Sequence, residues 1–187
     1  KVTRIGFPEA NVGAFSQKNI TKVIISEGIE RIDNWAFREN DITEVVFPST
    51  LTFLGLNSFS GNKLTSIEFP NSELTIGTAV FYGNNITGTV ILPENIIKLG
   101  LGVFNYNNIS EIIVMGNDTQ LPVKGGSIVA GNQSDPKDIR IIGYKGSDAE
   151  MYANYYGNTF VRGDEDVTFS SNGNSNWSKS HSTRINV

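Results

Sequence analysis

The chain has 187 residues, 39% of them hydrophobic and 18% charged, a composition that excludes a disordered chain and suits one domain or a short repeat array. Its formal net charge of −4, with no basic run, excludes the electrostatic footprint of a nucleic-acid binder. With no cysteine it has no disulfide, no thiolate catalysis and no cysteine-ligated metal, and no apolar stretch approaches the roughly 20 residues that span a bilayer.

In chain order, the first element already belongs to a repeat. Lys1-Val2-Thr3-Arg4-Ile5 is not a signal peptide, and it reads as the middle of a repeat unit whose natural chain extends further upstream. The same pattern returns at Ile20-Thr21-Lys22-Val23-Ile24-Ile25, Asn40 to Pro48, Asn62 to Pro70, Asn84 to Pro93 and Asn107 to Val114. The leading apolar residues of the copies stand at 2, 20, 42, 64, 86 and 109, so after a short first step the spacing is 22, 22, 22 and 23. Phe15, Phe37, Phe59, Phe81 and Phe104 keep the same spacing, and Ile32, Leu54, Ile76 and Leu99 lie five residues before the last four. Three anchors in one phase define a solenoid, because a unit this short buries its apolar side chains only by stacking on its neighbours.

Within each unit, Ile-x-x-Val-x-Phe sends its last two apolar residues to one side, as a strand does. Equivalent strands should pair in parallel from coil to coil. Pro48, Pro70 and Pro93 should stop them, since proline cannot donate to a ladder. Thr21, Thr43, Thr65, Thr87 and Ser110 form a hydroxyl column. Asn40, Asn62, Asn84 and Asn107 form an amide column expected to bond turn backbone.

Asn-x-Ile-Thr-x-Val-x-Phe-Pro followed by Leu-Gly-x-x-x-Phe, as in Leu54 to Phe59, resembles the BspA-type leucine-rich repeats of bacterial surface proteins over about residues 1–115. The resemblance implies a β-rich right-handed leucine-rich-repeat solenoid with a parallel sheet. It also implies a place outside the cell or on its surface, and adhesion to a host or microbial surface protein or glycan. The interval from Pro8 to Phe15 is too short for a full unit of the pattern.

After Val114 the pattern fades, and Met115 to Asp138 reads as loop. A strand at Ile139 to Tyr144 and a helix opened by the Ser147-Asp148-Ala149-Glu150 capping box and stopped at Gly157 make a strand-helix C-terminal cap. The expected organisation is a solenoid of about five coils over 1–120 and a cap over 121–163. Residues 164–187 are then a linker and the start of a further Ig-like β module, or a polar tail. Strands are expected there at Val167-Thr168-Phe169 and Thr183 to Val187, joined by a Ser/Asn/Gly loop.

Chemistry is sparse. His181, the only histidine, sits among serines without a third orienting group, and one histidine without cysteine makes no typical zinc site. Asp164, Glu165 and Asp166 lack the ligand spacing of a calcium loop, and Lys124-Gly125-Gly126-Ser127 lacks the order of a phosphate loop. Asn19-Ile20-Thr21, Asn85-Ile86-Thr87 and Asn108-Ile109-Ser110 match a glycosylation sequon, but the repeat itself explains them. Glu44, Glu68 and Glu111 could be read as paired carboxylates for glycoside hydrolysis, yet acidic residues on an outward face are ordinarily solvated. No catalytic residue, metal or cofactor is assigned.

The outward strand positions carry the one functional expectation. Ile24, Val46, Glu68, Val90 and Ile113 should point away from the core, with Lys22, Glu44 and Glu111 beside them. A contiguous apolar stripe of this kind is a candidate contact surface for a surface protein or glycan; β-propensity alone would also produce it. The alternative is a structural spacer that presents other domains and has no ligand of its own. Neither reading inserts this chain into a membrane.

Overall fold

The computed structural model describes residues 3–6, 13–132 and 138–163, and the backbone of 168–171 and 177–180. The chain winds into a parallel β-solenoid whose coils build strands on two sides. One sheet has the order β1 (Arg4–Ile5), β3 (Arg31–Ile32), β5 (Phe53–Leu54), β6 (Leu74–Ile76) and β8 (Ile96–Leu99). The opposite strand face is built from β2 (Lys22–Ile24) and β4 (Glu44–Val46), then β7 (Thr87–Leu92), β9 (Asn108–Val114), β10 (Arg140–Gly143) and β11 (Thr159–Arg162). The pairs within these sheets are parallel, as the repeat requires.

The core between the two sheets is the set of repeat anchors. Ile32, Leu54, Ile76 and Leu99 are buried in one column, and Ile42, Leu64, Ile86 and Ile109 in another. Phe37, Phe59, Phe81 and Phe104 form a third, and Phe15, exposed, continues the stack at its N-terminal end. Their ring centroids are 5.4, 5.1, 6.1 and 5.9 Å apart and their planes lie within 22° of parallel. Each stacked pair adds about 0.5–1.5 kcal/mol beyond its burial. The turn around each phenylalanine is tight, and the residue two places after it takes a left-handed backbone: Gln17, Glu39, Gly61, Gly83 and Tyr106.

The asparagine column is structural, as expected. Asn62 is buried; its Nδ2 donates to the carbonyls of Phe37 (2.9 Å) and Phe59 (3.0 Å), and its Oδ1 accepts from the Ile42 N–H at 3.1 Å. Asn40, Asn84 and Asn107 repeat the pattern one coil apart, so each amide joins its own turn to the preceding coil.

Several expectations are corrected. The third copy carries no strand: pairing runs as far as the Lys63 N–H to Ile42 carbonyl bond, but Ser66–Phe69 joins neither β4 nor β7 in a ladder. The fourth copy holds one residue more between its threonine and its proline (Thr87 to Pro93) than the second and third (Thr43 to Pro48, Thr65 to Pro70). Gly88, left-handed at φ 71° and open on its Cβ side, lies in this stretch beside a register shift against β9. A single added residue turns every later side chain to the other face of a strand.

The stretch from Met115 to Asp138 holds no strand or α-helix among its described residues, as the loop reading expects, yet it keeps the winding as far as Asn132. The Gly102, Phe104 and Tyr106 N–H groups donate to Ser127, Ile128 and Ala130 carbonyls, and Asn132 Oδ1 accepts from Ile109 N at 3.0 Å. Val129 stands where earlier coils place phenylalanine, and for that reason the phase is lost to inspection.

The cap is a β-α-β unit. Helix α1 (Asp148–Tyr156) connects β10 to β11, and the latter, a strand the sequence reading missed, extends the strand face by one more parallel pair. The capping box does not form as expected. Ser147 Oγ donates to the Tyr144 carbonyl and makes no cap bond, while Glu150 accepts from the Gly146 N–H. Gly157 ends the helix in a left-handed conformation. The buried Tyr152 hydroxyl bonds Ser127 Oγ at 2.6 Å and the Ile128 N–H at 3.0 Å, which fastens the helix to the last coil.

Further on, β12 (Thr168–Ser171) pairs antiparallel with β13 (Trp177–Ser180). The second strand therefore falls inside the segment expected as a Ser/Asn/Gly loop. Asp164, Glu165, Asp166, His181 and Thr183 to Val187 lie outside the described residues.

Candidate functional site: the strand face

The strand face divides into two halves with different solvent exposure. In the N-terminal half, β2 and β4 pair so that Lys22 lies beside Glu44 and Ile24 beside Val46. The Lys22 Nζ and Glu44 Oε2 form an ion pair of 2.8 Å on the surface. Such a pair between half-exposed side chains is worth well under about 1 kcal/mol. Ile24 and Val46 are 68% and 45% exposed, which leaves two adjacent β-branched side chains in water with nothing packed over them. Glu68 follows on the next coil, also exposed.

In the C-terminal half the expected contact residues are withdrawn from water. Val90 faces the core and is buried there, because the residue added in its copy places it in the phase of Val45 rather than Val46. Ile91 occupies the outward position instead. Ile113 does point outward, aligned with Ile91 and Ile142, but it is buried in a small cluster with Met115 and Ile142. Glu111 is buried as well. Its carboxylate accepts from the Thr89 hydroxyl at 3.2 Å and meets Arg140 Nη2 at 3.3 Å. The structure thus groups Lys22, Ile24, Glu44, Val46 and Glu68 on one open surface. It places Glu111 and Ile113 in a closed one and removes Val90 to the interior.

Between the two halves, over the unladdered Ser66–Phe69 segment, the face opens into a groove of about 560 Å³. Phe47, Ile67, Phe69 and Ile91 supply apolar lining, Ser49, Asn71 and Thr89 supply polar groups, and Glu27 and Glu68 supply two carboxylates. Phe47 and Phe69 also stand edge-on to the core rings Phe59 and Phe81, so the floor of the groove is the side of the core itself. Glu27 is held in place across a coil step. Its carboxylate accepts from the Ser49 N–H at 2.9 Å and the Ser49 hydroxyl at 3.0 Å. The Ser49 backbone bond is the main reason that its carboxyl sits below the usual carboxylate range. Glu27, Phe47, Ile67 and Ile91 were not singled out by sequence reasoning. The extra residue of the fourth copy was the available signal, since it breaks the register where the groove opens.

Among the described residues no group of three or more histidine, cysteine or acidic side chains could hold a metal ion, and no helix is long and apolar enough to cross a membrane.

A parallel solenoid with asparagine and phenylalanine columns and one open strand face is a leucine-rich-repeat architecture. The family model for the BspA type leucine rich repeat region matches residues 9–124 in 6 copies, and the chain belongs to that family. Proteins of this family are commonly extracellular or surface-associated, often take part in protein interactions, and use a fold that is typically non-enzymatic. Neither the curated proteins nor the solved structures compared with the chain gave a match.

Proposed function

We propose that this solenoid is a non-enzymatic interaction module of a bacterial cell-surface protein. In this reading it binds a protein partner through the N-terminal half of its strand face. The observation that carries the reading is the groove beside the exposed pair Ile24 and Val46, with an apolar floor and two carboxylates, Glu27 and Glu68. A lysine or arginine of a partner fits that chemistry. Its aliphatic stem would lie along Phe47, Ile67 and Ile91 while its cationic head meets a carboxylate, as long basic side chains do at interfaces. Ile24 and Val46 would then supply the dry rim that such a contact needs.

The test is binding of the purified chain to a panel of immobilised extracellular proteins at two salt concentrations. It is run beside a Glu27→Gln/Glu68→Gln double variant and an Ile24→Ser/Val46→Ser double variant, each checked for folding by circular dichroism. The expected result is a partner whose affinity falls at least tenfold in each variant, with a salt dependence that the wild type and the Ile24→Ser/Val46→Ser variant keep and the Glu27→Gln/Glu68→Gln variant loses. Equal binding by all three proteins would move the contact off this face. No binding to any protein in the panel favours the spacer reading, with which the continuous phenylalanine stack is compatible.

A further inference from the structure

The backbone of the third copy breaks off its pairing where its neighbours continue. On one side of it β2 and β4 form a ladder that the Thr43 N–H to Thr21 carbonyl bond and the Ile25 N–H to Val46 carbonyl bond extend at either end. On the other side β7 and β9 pair along the whole of β7. In the third copy the Lys63 N–H donates to the Ile42 carbonyl, and the Thr65 carbonyl accepts from the Thr87 N–H at 3.3 Å. Beyond that point, among the described residues, no N–H or carbonyl of Ser66, Ile67, Glu68 or Phe69 is bonded to another backbone group. Pairing resumes only with the Thr75 N–H, which donates to the Thr52 carbonyl at 3.0 Å.

Two sheet edges face this gap. β4 ends the two-stranded sheet and β7 ends the four-stranded one. They stand two coil steps apart, roughly 9.6 Å at about 4.8 Å per step, the separation of two strands with a third between them. Natural edges are guarded by charged side chains or proline. β7 has neither: Thr87–Leu92 reads Thr-Gly-Thr-Val-Ile-Leu. An unguarded edge beside a row of unpaired backbone groups is a template for another extended chain.

The same place selects the occupant. A helix arrives with its backbone already bonded to itself, and a glycan has no row of alternating N–H and carbonyl groups. An extended peptide offers both, at about 3.3 Å per residue, and turns alternate side chains to one side. Those side chains would meet the apolar lining of Phe47, Ile67, Phe69 and Ile91. The lining has two carboxylates, Glu27 and Glu68, and no lysine or arginine. Elsewhere on the strand face Glu44 has Lys22 beside it at 2.8 Å and Glu111 has Arg140 at 3.3 Å. Glu68, exposed, has no cation within ion-pair distance among the described residues, so its charge is open to a basic residue of the incoming chain.

From this juxtaposition we infer that the partner enters the groove as an extended polypeptide segment, which adds a strand to the free edge of β7 over Ser66–Phe69. The inference rests on the reading of the groove as a protein-binding site and gives the form in which that partner binds. Main-chain pairing with β7 supplies the attachment. The apolar lining and the carboxylates choose the side chains: β-branched residues at alternate positions, with a lysine or arginine between them.

The experiment titrates the full chain, labelled with nitrogen-15, with the peptide acetyl-Thr-Val-Thr-Lys-Thr-Val-Thr-amide at millimolar concentration. Its valines and lysine share one face of a strand. Two isomers carry backbone N-methyl groups on every second residue, one isomer for each edge of the extended chain, so that the side chains stay and one row of donors goes. The expected result is saturable binding that slows amide exchange on the free edge of β7 and shifts the Ser66–Phe69 resonances. One isomer should bind at least tenfold more weakly, and the other within about threefold of the parent. Equal binding by the parent and both isomers would mean that side chains alone are recognised, which overturns the added strand and leaves the groove a protein-binding site. Equal loss in both isomers, no binding of the parent peptide, or protection confined to other parts of the chain would overturn it as well. Unchanged binding of the parent peptide by the Glu27→Gln/Glu68→Gln protein, with the isomers still distinguished, would support the added strand and overturn the carboxylate contact of the proposed function.

Discussion

The side chain of Asn62 donates to the backbone carbonyl of Phe37, 25 residues earlier and one coil away, at 2.9 Å and out of reach of water. Because the same amide also serves Phe59 and Ile42, one residue closes its own turn and binds the preceding coil. Replacing Asn62 by alanine leaves the Ile42 N–H unsatisfied in the interior and takes one of two amide donors from each of the Phe37 and Phe59 carbonyls, which keep Asn40 and Asn84. We expect a loss of about 2–4 kcal/mol in urea unfolding. Asn62→Asp should not rescue it, since a carboxylate cannot donate to the two carbonyls. A loss below about 1 kcal/mol in both variants would show that the amide column is dispensable.

Gly100 is fixed by a close approach. A Cβ there would lie 2.5 Å from the Thr78 nitrogen and 2.6 Å from the Gly77 carbonyl carbon, both backbone atoms of the preceding coil. Gly100→Ala should therefore cost more than about 2 kcal/mol, since the two coils must separate to admit it. Ala79 presents the opposite case, a residue with a Cβ held at φ 55°. Ala79→Gly should raise stability by up to about 1 kcal/mol as the strain is released, with the entropy of the unfolded chain acting against it. Thermal melts of the two variants should move in opposite directions.

Ser58 is fully buried, and its hydroxyl has no hydrogen-bond partner. The corresponding position is Ala36 one coil earlier and Val80 one coil later. Ser58→Ala removes an unsatisfied hydroxyl without changing the packing much. It is expected to stabilise the protein by about 1 kcal/mol. An unchanged or lowered unfolding midpoint would indicate that the hydroxyl is satisfied in solution.

Tyr152 gives the protein an alkaline limit. Burial pushes its hydroxyl up to about 12, against 10.0 for an ordinary tyrosine, while its bonds to Ser127 and Ile128 act in the other direction. Between these two values the unfolded chain releases the proton and the folded chain keeps it, so folding stability falls as pH rises through this window. The share from Tyr152 is full below about pH 10, and its loss approaches about 2–3 kcal/mol at pH 12. Urea unfolding of wild type and Tyr152→Phe at pH 9 and pH 11.5 should show the difference between them narrowing at the higher pH. A constant difference would mean that the hydroxyl titrates normally.

Much of the architecture was legible because it depends on period alone. The phenylalanine, asparagine and leading-isoleucine columns are set by a 22-residue spacing, and stacking is the only way so short a unit can bury them. The cap helix was legible for a local reason, a left-handed stop at Gly157. Its true capping pattern was not, because Ser147 had a competing acceptor at the Tyr144 carbonyl that no local rule supplies. The strand β11 was missed for a similar reason. Thr159–Arg162 is too short to declare itself, and it is a strand because β10 offers it a parallel edge.

The contact face shows where local reading stops. Ile24, Val46 and Glu68 lie where alternation places them, but Val90 does not, since one residue added before it reverses its side of the strand. Ile113 alternates correctly and is nonetheless buried, as burial of an outward side chain depends on what packs over that face. The sequence by itself determined the repeat, its core columns and the family. Only the tertiary structure decided which outward residues meet water, where the ladder opens into a groove, and that Tyr82 and Tyr106 meet across a coil step. Those relations join residues about 22 positions apart, and a side chain's exposure is a property of its neighbours in space and not of its place in the chain.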